Sequence, residues 1–319
     1  MKLLIVIVNY KTADLAIDCL RSLVPEIGHD PGVRVVITDN KSDDDSVARL
    51  NSFISQYACA AKLELQPLDH NGGFAFGNNR AIEPSLAQKP DYVLLLNPDT
   101  RVHPGAIQAL VEFMDRHDAI GIAGSRLEDP DGTPQRSAFR FPTISSEFER
   151  GIRLGFVSRM LAAKVVAPPV PEQTSPTDWV AGASMIIRPA VFEAIGLMDE
   201  KYFMYFEEVD FCLQAKRAGW PCWYVPSSRV VHLVGAASEL SDARKHRKRR
   251  PKYWFDSRRR YFVKNHGIIY AALADLAFAV GFALWRVRRF IQRKQDTDPP
   301  KMLSDFIRNS VFLRGGAQA

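Results

Sequence analysis

Cysteine is scarce in this sequence, with four residues among 319 and no Cys-x-x-Cys pair. The four are scattered along the chain, at Cys19, Cys59, Cys212 and Cys222. A disulfide framework or a cysteine zinc site needs cysteines at characteristic spacings, so this pattern argues against both. It suits a protein of a reducing compartment.

The first ten residues lack the features of a secretion signal. The apolar run at 3–8 is short, one lysine precedes it, and no small-residue cleavage site follows it. We therefore predict a buried β-strand at this position and a cytoplasmic location for the protein.

The common phosphate-binding loops are also missing. The glycine-rich stretch at 71–80 is not a Gly-x-Gly-x-x-Gly motif, because Phe74 and Ala75 break the spacing, and it has no Gly-Lys-Ser/Thr end. Its glycines would still let the backbone approach a diphosphate or a sugar. The structural alternative is a loop that leads into a helix.

Apolar residues, in contrast, are plentiful. They make up 46% of the chain, which is enough for a large core and excludes general disorder. The net charge is +6, and the basic excess is concentrated at 244–250, 258–260 and 286–294.

The first 125 residues alternate apolar strands with amphipathic helices. Strands are predicted at 3–8, 33–38, 63–68, 92–96 and 120–123, and helices at 14–23, 43–57 and 103–117. This alternation favours a parallel sheet with right-handed crossovers. Residues 128–176 are predicted to form an irregular, mobile connection over the site. Helices at 189–195 and 208–218 and strands at 221–233 are predicted to follow.

Polar residues follow several of the predicted strands. Asn9, Asp39 and Asp99 all stand at strand ends, and ligands of parallel sheets bind beyond the carboxyl ends of the strands. A carboxylate such as Asp99 suits Mg²⁺ or Mn²⁺, and one such as Asp39 suits a nucleotide. Each residue could instead form a turn or cap a helix.

A second group of acids lies at 207–210, before an apolar helix. One carboxylate there could accept a proton from an attacking hydroxyl, while simple capping of the helix N-terminus is the alternative. His232 follows an apolar strand and becomes a candidate metal ligand only if it lies beside Asp99.

Seven segments occur in a characteristic order between residues 3 and 238. They are Val-Ile-Val-Asn-Tyr (6–10), Asp-Asn-Lys-Ser (39–42), Asn-Gly-Gly-Phe-Ala (71–75), Leu-Asn-Pro-Asp (96–99), Trp-Val-Ala-Gly-Ala (179–183), Phe-Glu-Glu-Val-Asp (206–210) and His232. In this order they resemble the family 2 glycosyltransferases, and within them the rhamnosyltransferase-like branch that builds bacterial surface polysaccharide.

The resemblance implies a GT-A-like α/β fold, which is a mostly parallel sheet flanked by helices, followed by a basic helical C-terminal extension. The catalytic domain would cover 1–238, with a nucleotide-sugar half at about 1–125 and an acceptor half at about 126–238. The extension would cover 239–319. The implied activity is inverting, metal-dependent transfer of a sugar, foremost L-rhamnose from dTDP-rhamnose, to a glycan or polyprenyl-linked acceptor.

The resemblance also implies a role for each matching residue. The donor would contact Asn9, Asp39, Asn71, Gly73 and Asn97; a divalent cation, Mg²⁺ or Mn²⁺, would bind Asp99 and His232; the acceptor would lie by Trp179, Gly182 and Ala183; and the base would be Glu208 or Asp210. Asn97 replaces the first aspartate of the family's Asp-x-Asp motif, so its own metal contact stays open.

The C-terminal region allows several interpretations. The segment at 267–285 is apolar except for Asp275 and is flanked by basic residues, so it is borderline as a membrane span. A helix at the cytoplasmic membrane face, with Tyr253, Trp254 and Tyr261 at headgroup depth, is favoured slightly. Packing against the catalytic domain or against a second copy in a homodimer is the alternative.

Two other functions compete with glycosyl transfer. A sugar-nucleotide nucleotidyltransferase would need a basic glycine-rich N-terminal loop, and residues 9–12 contain no glycine. A nucleic-acid-binding protein would use the basic tail, but no recognition motif accompanies it, so we expect no specific nucleic acid as a partner.

Overall fold

The computed structural model describes residues 2–27, 30–56, 61–233 and 248–316. Cys59, the predicted domain boundary at 238/239 and the basic residues 244–247 lie outside the described residues. The chain divides into two compact units, which are described separately.

The strands are β1 (Leu3–Asn9), β2 (Val33–Asp39), β3 (Lys62–Pro67), β4 (Tyr92–Leu96), β5 (Thr100–Val102), β6 (Ile122–Glu128), β7 (Ala138–Phe139), β8 (Ser175–Thr177), β9 (Trp179–Val180), β10 (Ser184–Ile187) and β11 (Cys222–His232). The helices are α1 (Ala13–Ile27), α2 (Ser46–Gln56), α3 (Gly73–Leu86), α4 (Ala106–Asp115), α5 (Ile144–Ile152), α6 (Gly155–Met160), α7 (Pro189–Ile195), α8 (Glu207–Arg217), α9 (Lys252–His266), α10 (Ile268–Ile291), α11 (Met302–Arg308) and α12 (Val311–Arg314).

The first unit comprises Met1–Phe139, Pro169–Phe203 and Glu207–Ser241 and is built on one sheet. The strand order is β3-β2-β1-β4-β10-β6-β11-β5, with β8 paired to β11. Strands β3, β2, β1 and β4 are parallel, as the alternating sequence predicts. β10 is antiparallel to both of its neighbours, β4 and β6, so the sheet is mixed.

Local sequence explains where two helices of this unit begin. The helix predicted at 43–57 begins only at Ser46, because Asp43 has a φ of 54° and the Asp44 carboxylate accepts a hydrogen bond from the Ser46 backbone N–H at 2.9 Å. The helix predicted at 103–117 begins at Ala106, after Gly105 with a φ of 81°. Both starts follow left-handed residues that cannot continue a helix.

The second unit comprises Arg140–Pro168, Met204–Phe206 and Asp242–Ala319 and is helical. The prediction that 128–176 is irregular was wrong, because α5 and α6 lie there. A capping box starts α5: the Thr143 hydroxyl accepts from the Ser146 N–H at 3.2 Å, and the Ser146 hydroxyl accepts from the Thr143 N–H at 2.7 Å. The signal was missed because serine stands where the motif usually has Glu or Gln.

Two glycines let α5 and α10 approach closely. A Cβ at Gly151 would lie 2.7 Å from the Phe278 carbonyl oxygen, and one at Gly281 would lie 2.8 Å from the Phe148 carbonyl oxygen. No side chain fits at either position, so the backbones of the two helices pack directly against each other. The apolar cluster of this unit gathers around α9, α10 and α11, with Trp254, Phe255, Phe278, Phe282, Trp285, Met302 and Phe306.

A buried ionic network accounts for the single acidic residue of α10. The Arg258 guanidinium donates to Glu147 at 2.9 Å and also pairs with Asp275, and all three residues are at most 3% exposed. Asp275 also accepts a hydrogen bond from the Val311 N–H at 2.8 Å. Charges buried in this way need such complete pairing, so the network ties α5, α9, α10 and α12 together.

This burial corrects part of the prediction for the C-terminal region. Arg258, Arg259 and Arg260 are 3%, 2% and 8% exposed, so they are not a surface basic cluster. Trp254 and Tyr261 are 8% and 0% exposed, so neither side chain is available at headgroup depth. The sequence does not distinguish these residues from surface ones, because their burial depends on packing with other helices, such as the contact of Arg258 with Glu147 of α5, 111 residues away.

Candidate active site

The first two motifs meet at the carboxyl ends of β1 and β2. Asn9 and Asp39 are opposite each other in the parallel register, and the Asn9 side-chain amide donates to the Asp39 carboxylate at 2.7 Å. Asp39 also accepts from the Ser42 hydroxyl at 2.5 Å and from the Ser42 N–H at 3.0 Å. The Thr12 hydroxyl donates to the side-chain amide oxygen (Oδ1) of Asn9 at 3.0 Å. The Asn9–Asp39 pair is therefore buried and rigidly oriented.

The glycine-rich stretch forms the start of α3, so the interpretation as a loop leading into a helix is confirmed. Gly73 has a φ of +90°, and a Cβ there would lie 1.9 Å from the Phe203 carbonyl oxygen, so only glycine fits. The Asn71 side chain accepts from the Gly73 N–H at 3.0 Å, and the Asn40 side chain donates to the Gly73 carbonyl at 2.9 Å. The third motif is thereby joined to the second.

The fourth and seventh motifs come together beyond β4. Asp99 is 3% exposed and lies in the turn between β4 and β5. Thr100, the first residue of β5, pairs with His232 of β11. The His232 Nε2 lies 3.5 Å from the Asp99 Oδ1. The Leu233 N–H donates to the Asp99 carbonyl at 2.9 Å, and Gln135 donates to the His232 carbonyl at 2.8 Å.

The donor set at Asp99 fits a divalent cation of the Mg²⁺ or Mn²⁺ kind. A carboxylate and an imidazole face each other, and the buried Oδ1 of nearby Asn97 has no hydrogen-bond partner among the described residues. Over those same residues, no cluster of three or more His, Cys, Asp or Glu side chains forms a complete metal cage. Such ions usually keep waters and substrate phosphates in their shell, so two protein ligands are adequate.

The fifth motif, residues 179–183, lies next to both the candidate metal ligands and the acids of the sixth motif, residues 206–210. The Asn97 N–H donates to the Ala183 carbonyl at 3.0 Å, which places 182–183 next to the end of β4. A Cβ at Gly182 would lie 3.2 Å from the Phe74 ring and 3.9 Å from the Glu208 Cβ. Gly182 is therefore the point at which the third, fifth and sixth motifs converge.

The acids of the sixth motif occupy the first turn of α8. Glu208 is half-buried beside Gly182, and its Oε2 accepts no hydrogen bond from any described residue. Burial raises the pKa of the Glu208 carboxyl from its ordinary value of 4.5 to about 7. Burial, and then repulsion from Glu208, raise the pKa of Glu207 well above its ordinary range. Asp210 is 2% exposed and accepts from Gln214 at 3.4 Å.

Trp179, predicted at the acceptor, lies on β9 of the small β7–β9 sheet. Its ring stacks on Phe139 with a centroid distance of 4.1 Å and an interplanar angle of 16°, so Phe139 covers one of its faces. The structure does not test its predicted contact with an acceptor.

Hydrogen bonds and close approaches thus bring all seven predicted motifs together at one edge of the sheet. Sequence reasoning missed two residues that orient the predicted ones, Thr12 and Gln135. Ser42, in contrast, closes the turn that the sequence offered as the alternative role of Asp39. Gln135 had no local signal, because its partner is 97 residues away.

The profile of the glycosyltransferase-like family 2 matches residues 2–251, which include every one of these motifs. The chain belongs to this family. The family match confirms the resemblance drawn from the order of the motifs, and it does not favour the nucleotidyltransferase or the nucleic-acid-binding alternative.

Rhamnosyltransferases are among the proteins to which the chain is similar. The N-acetylglucosaminyl-diphospho-decaprenol L-rhamnosyltransferase of Mycobacterium tuberculosis is 30% identical over 209 residues, which cover 63% of this chain and 66% of that protein. Rhamnosyltransferase WbbL of Escherichia coli is 26% identical over 239 residues, covering 72% of this chain and 83% of that protein. The match to the mycobacterial enzyme therefore spans slightly less than two thirds of its length.

Solved structures confirm the GT-A-like fold. S. aureus TarS in complex with UDP superposes with a TM-score of 0.54 at 15% identity, covering 97% of this chain and 81% of that one. A mannosyltransferase from Pyrobaculum calidifontis, in complex with GDP-Man and Mn²⁺, gives 0.56 at 12% identity, covering 95% and 78%. At these identities the likeness concerns the fold alone.

Proposed function

We propose that this protein is an inverting rhamnosyltransferase that transfers L-rhamnose from dTDP-rhamnose to a polyprenyl-diphosphate-linked sugar in surface polysaccharide synthesis. The observation that carries the proposal is the convergence of the seven motifs, which brings the half-buried carboxylate Glu208 to the same sheet edge as Asp99 and His232. The rhamnosyltransferase relatives supply the sugar and the lipid-linked acceptor class.

The donor nucleotide is assigned to the first three motifs. The imide N–H of a thymine or uracil needs a hydrogen-bond acceptor, and the buried carboxylate of Asp39 is held in one orientation by Asn9 and Ser42. Gly73 and Asn71 are joined to this pair through Asn40, so we assign them to the same donor pocket.

The departing nucleoside diphosphate is assigned to the fourth motif, residues 96–99, and to the seventh, His232. Asp99 and His232 would hold the divalent cation, which when bound stabilises the negative charge of the departing diphosphate. Two residues before Asp99, the buried side-chain oxygen of Asn97 has no hydrogen-bond partner among the described residues. Because the asparagine side chain is neutral, we propose that it contacts the nucleotide-sugar donor and that Asp99 and His232 are the principal ligands of the cation.

The chemical step needs one base and no protein nucleophile. Glu208 accepts the proton of the acceptor hydroxyl while that oxygen forms a bond to the anomeric carbon of rhamnose. The bond between this carbon and the diphosphate oxygen breaks on the opposite side, releasing dTDP, so the configuration inverts. A pKa of about 7 leaves Glu208 ionised in a large fraction of molecules at neutral pH, yet basic enough to take the proton.

The proposal is tested by incubating the purified protein with Mn²⁺, a short-chain N-acetylglucosaminyl diphosphate lipid and a panel of nucleotide sugars. Transfer is expected from dTDP-rhamnose, with dTDP as the co-product and an inverted anomeric configuration by NMR. If another nucleotide sugar is used at least as efficiently, the donor assignment is wrong. If no sugar is transferred from any donor, the acceptor assignment is wrong as well.

Peripheral membrane attachment is proposed for the helical unit. α10 is the one helix in the described ranges that is long and apolar enough to cross a membrane. Seven of its nine exposed large apolar residues form a stripe at three- and four-residue spacing, namely Ile269, Leu273, Leu276, Val280, Leu284, Val287 and Ile291; the other two are Ile268 and Phe290. The opposite face packs within the unit around Phe278 and Phe282.

One apolar face combined with one packed face favours a helix that lies in the plane of the membrane surface. The stripe ends near the exposed basic residues Arg293 and Lys294, which suit anionic headgroups. A lipid-linked acceptor would be found at that surface. This attachment is consistent with the expected cytoplasmic location at the inner face of the membrane.

The double variant Leu276→Glu/Val280→Glu is expected to reduce binding to anionic liposomes at least about 10-fold, because two apolar side chains would no longer be buried in lipid. Flotation of the wild-type protein should also weaken at high salt, because salt screens the attraction between its basic residues and the anionic headgroups. The matched control is Gln56→Glu/Gln88→Glu, which adds the same charge at exposed polar positions. A wild-type protein that fails to float but sediments as a dimer would assign the stripe to self-association.

A further inference from the structure

Phe74 is an aromatic residue that the roles assigned so far do not use. It lies in the first turn of α3 and is only half-buried, whereas the alternating neighbours Gly73 and Ala75 are buried. An aromatic side chain left partly open at a ligand edge is a candidate binding surface rather than a core residue.

The backbone that carries Phe74 is held by three hydrogen bonds. The Phe74 N–H donates to the Phe203 carbonyl at 2.9 Å, and the Asn78 side chain donates to the Phe74 carbonyl at 2.9 Å. The preceding carbonyl, of Gly73, accepts from Asn40 at 2.9 Å. The ring is thus carried on a rigid support, which reduces the entropy lost when a ligand binds it.

The ring itself lies against the bare backbone of Gly182. A Cβ at Gly182 would be 3.2 and 3.3 Å from the Phe74 Cε1 and Cζ, so any side chain there would displace the ring. The same hypothetical Cβ would lie 3.9 Å from the Glu208 Cβ. The outer edge of the ring and the stem of the proposed base therefore flank one glycine.

We infer that Phe74 is the platform on which the pyranose ring of the acceptor rests while Glu208 takes its proton. The base must come within about 3 Å of the acceptor hydroxyl, so the acceptor sugar has to occupy the space next to Glu208. The C–H groups on one face of a pyranose form an apolar surface that suits an aromatic ring. This inference rests on the proposed function, because it takes Glu208 as the base, and it makes Phe74 a determinant of acceptor affinity.

Phe74→Ala is expected to weaken binding of a short-chain N-acetylglucosaminyl diphosphate lipid about 10-fold, because the aromatic contact is lost. Calorimetry in the presence of dTDP and Mn²⁺ measures this without turnover. The affinity for dTDP itself should change less than about twofold, and in steady state the acceptor KM should rise more than kcat falls. Phe74→Tyr keeps the ring and should restore acceptor binding.

The matched control is Phe113→Leu, which removes a ring that packs in a tilted geometry against His117 and Trp223, near the amino-terminal starts of β6 and β11. It should leave acceptor affinity unchanged. If Phe74→Ala lost dTDP affinity and acceptor affinity equally, Phe74 would belong to the donor pocket, and its proposed role in acceptor binding would be wrong. Unchanged acceptor affinity, or a wild-type protein that binds no pyranose acceptor, would overturn it too. A wild-type protein that uses a different donor refutes only the proposed sugar, since the acceptor measurement does not depend on it.

Discussion

Glu208→Gln is expected to lower the rate of sugar transfer about 10²–10⁴-fold while leaving donor binding unchanged. Glutamine keeps the size of the side chain but cannot accept the proton of the acceptor hydroxyl. Steady-state rates and calorimetric titration with dTDP would separate the two effects. Glu193→Gln, at an exposed position on α7, is the matched control and should remain fully active.

Asp210→Asn decides between the two candidate bases. Asp210 is buried on α8 and accepts a hydrogen bond from Gln214, whereas Glu208 lies beside Gly182. We therefore expect the Asp210 variant to be less impaired in turnover than the Glu208 variant. The reverse order would move the base to Asp210, and a parallel loss of dTDP affinity in Glu208→Gln would remove Glu208 from that role.

The same carboxyl predicts a pH dependence. The ionised form is the base, so the rate of transfer should fall as pH decreases through about 7, and this step should vanish from the residual activity of Glu208→Gln. The pKa is raised on folding, so the folded state binds the proton more tightly than the unfolded state. The free energy of unfolding should therefore decrease as pH rises from about 4.5 to about 7. Thermal denaturation at pH 5 and pH 8 should show a smaller decrease for Glu208→Gln.

Asp99→Ala is expected to abolish transfer and to remove the Mn²⁺-dependent part of dTDP affinity. The Asp99 Oδ1 lies 3.5 Å from the His232 Nε2. Without this carboxylate the proposed cation would keep one protein ligand, His232, and no negatively charged one. The measurement is a thermal shift with dTDP, with and without Mn²⁺, because a ligand that binds only the folded state raises its stability.

Two controls sharpen the Asp99 experiment. His232→Ala should reduce the Mn²⁺-dependent shift in the same direction, whereas Asp118→Ala, at an exposed position after α4, should leave it intact. An Asp99→Ala protein that transfers sugar normally and is still inhibited by EDTA would reduce Asp99 to a turn residue. A protein that fails to fold would be recognised by the loss of its thermal transition.

Six strands of the first unit, β1 to β4, β6 and β11, and their ligand edge could be predicted from the sequence, whereas β5, β7, β8, β9 and β10 were not predicted. Apolar runs such as 3–8 and 92–96 end in Asn9 and Asn97, and strand formation there depends mainly on local pattern and burial on both faces. α5 was missed, because its capping box uses Ser146 and because its apolar residues pack on α10, 120 or more residues further along the chain.

The sequence by itself determined the class of this protein, because the order of seven short motifs specifies which polar residues follow which strands. Only the tertiary structure decided which of these residues touch: Asp99 and His232 are 133 positions apart, and Phe74, Gly182 and Glu208 come from three different segments. It also decided that Arg258 and Trp254 are buried although their surroundings in the chain are basic. The local sequence pattern predicts the secondary structure of a segment. Which side chains touch and which are buried depends on residues from other segments that the sheet and the helix packing bring together.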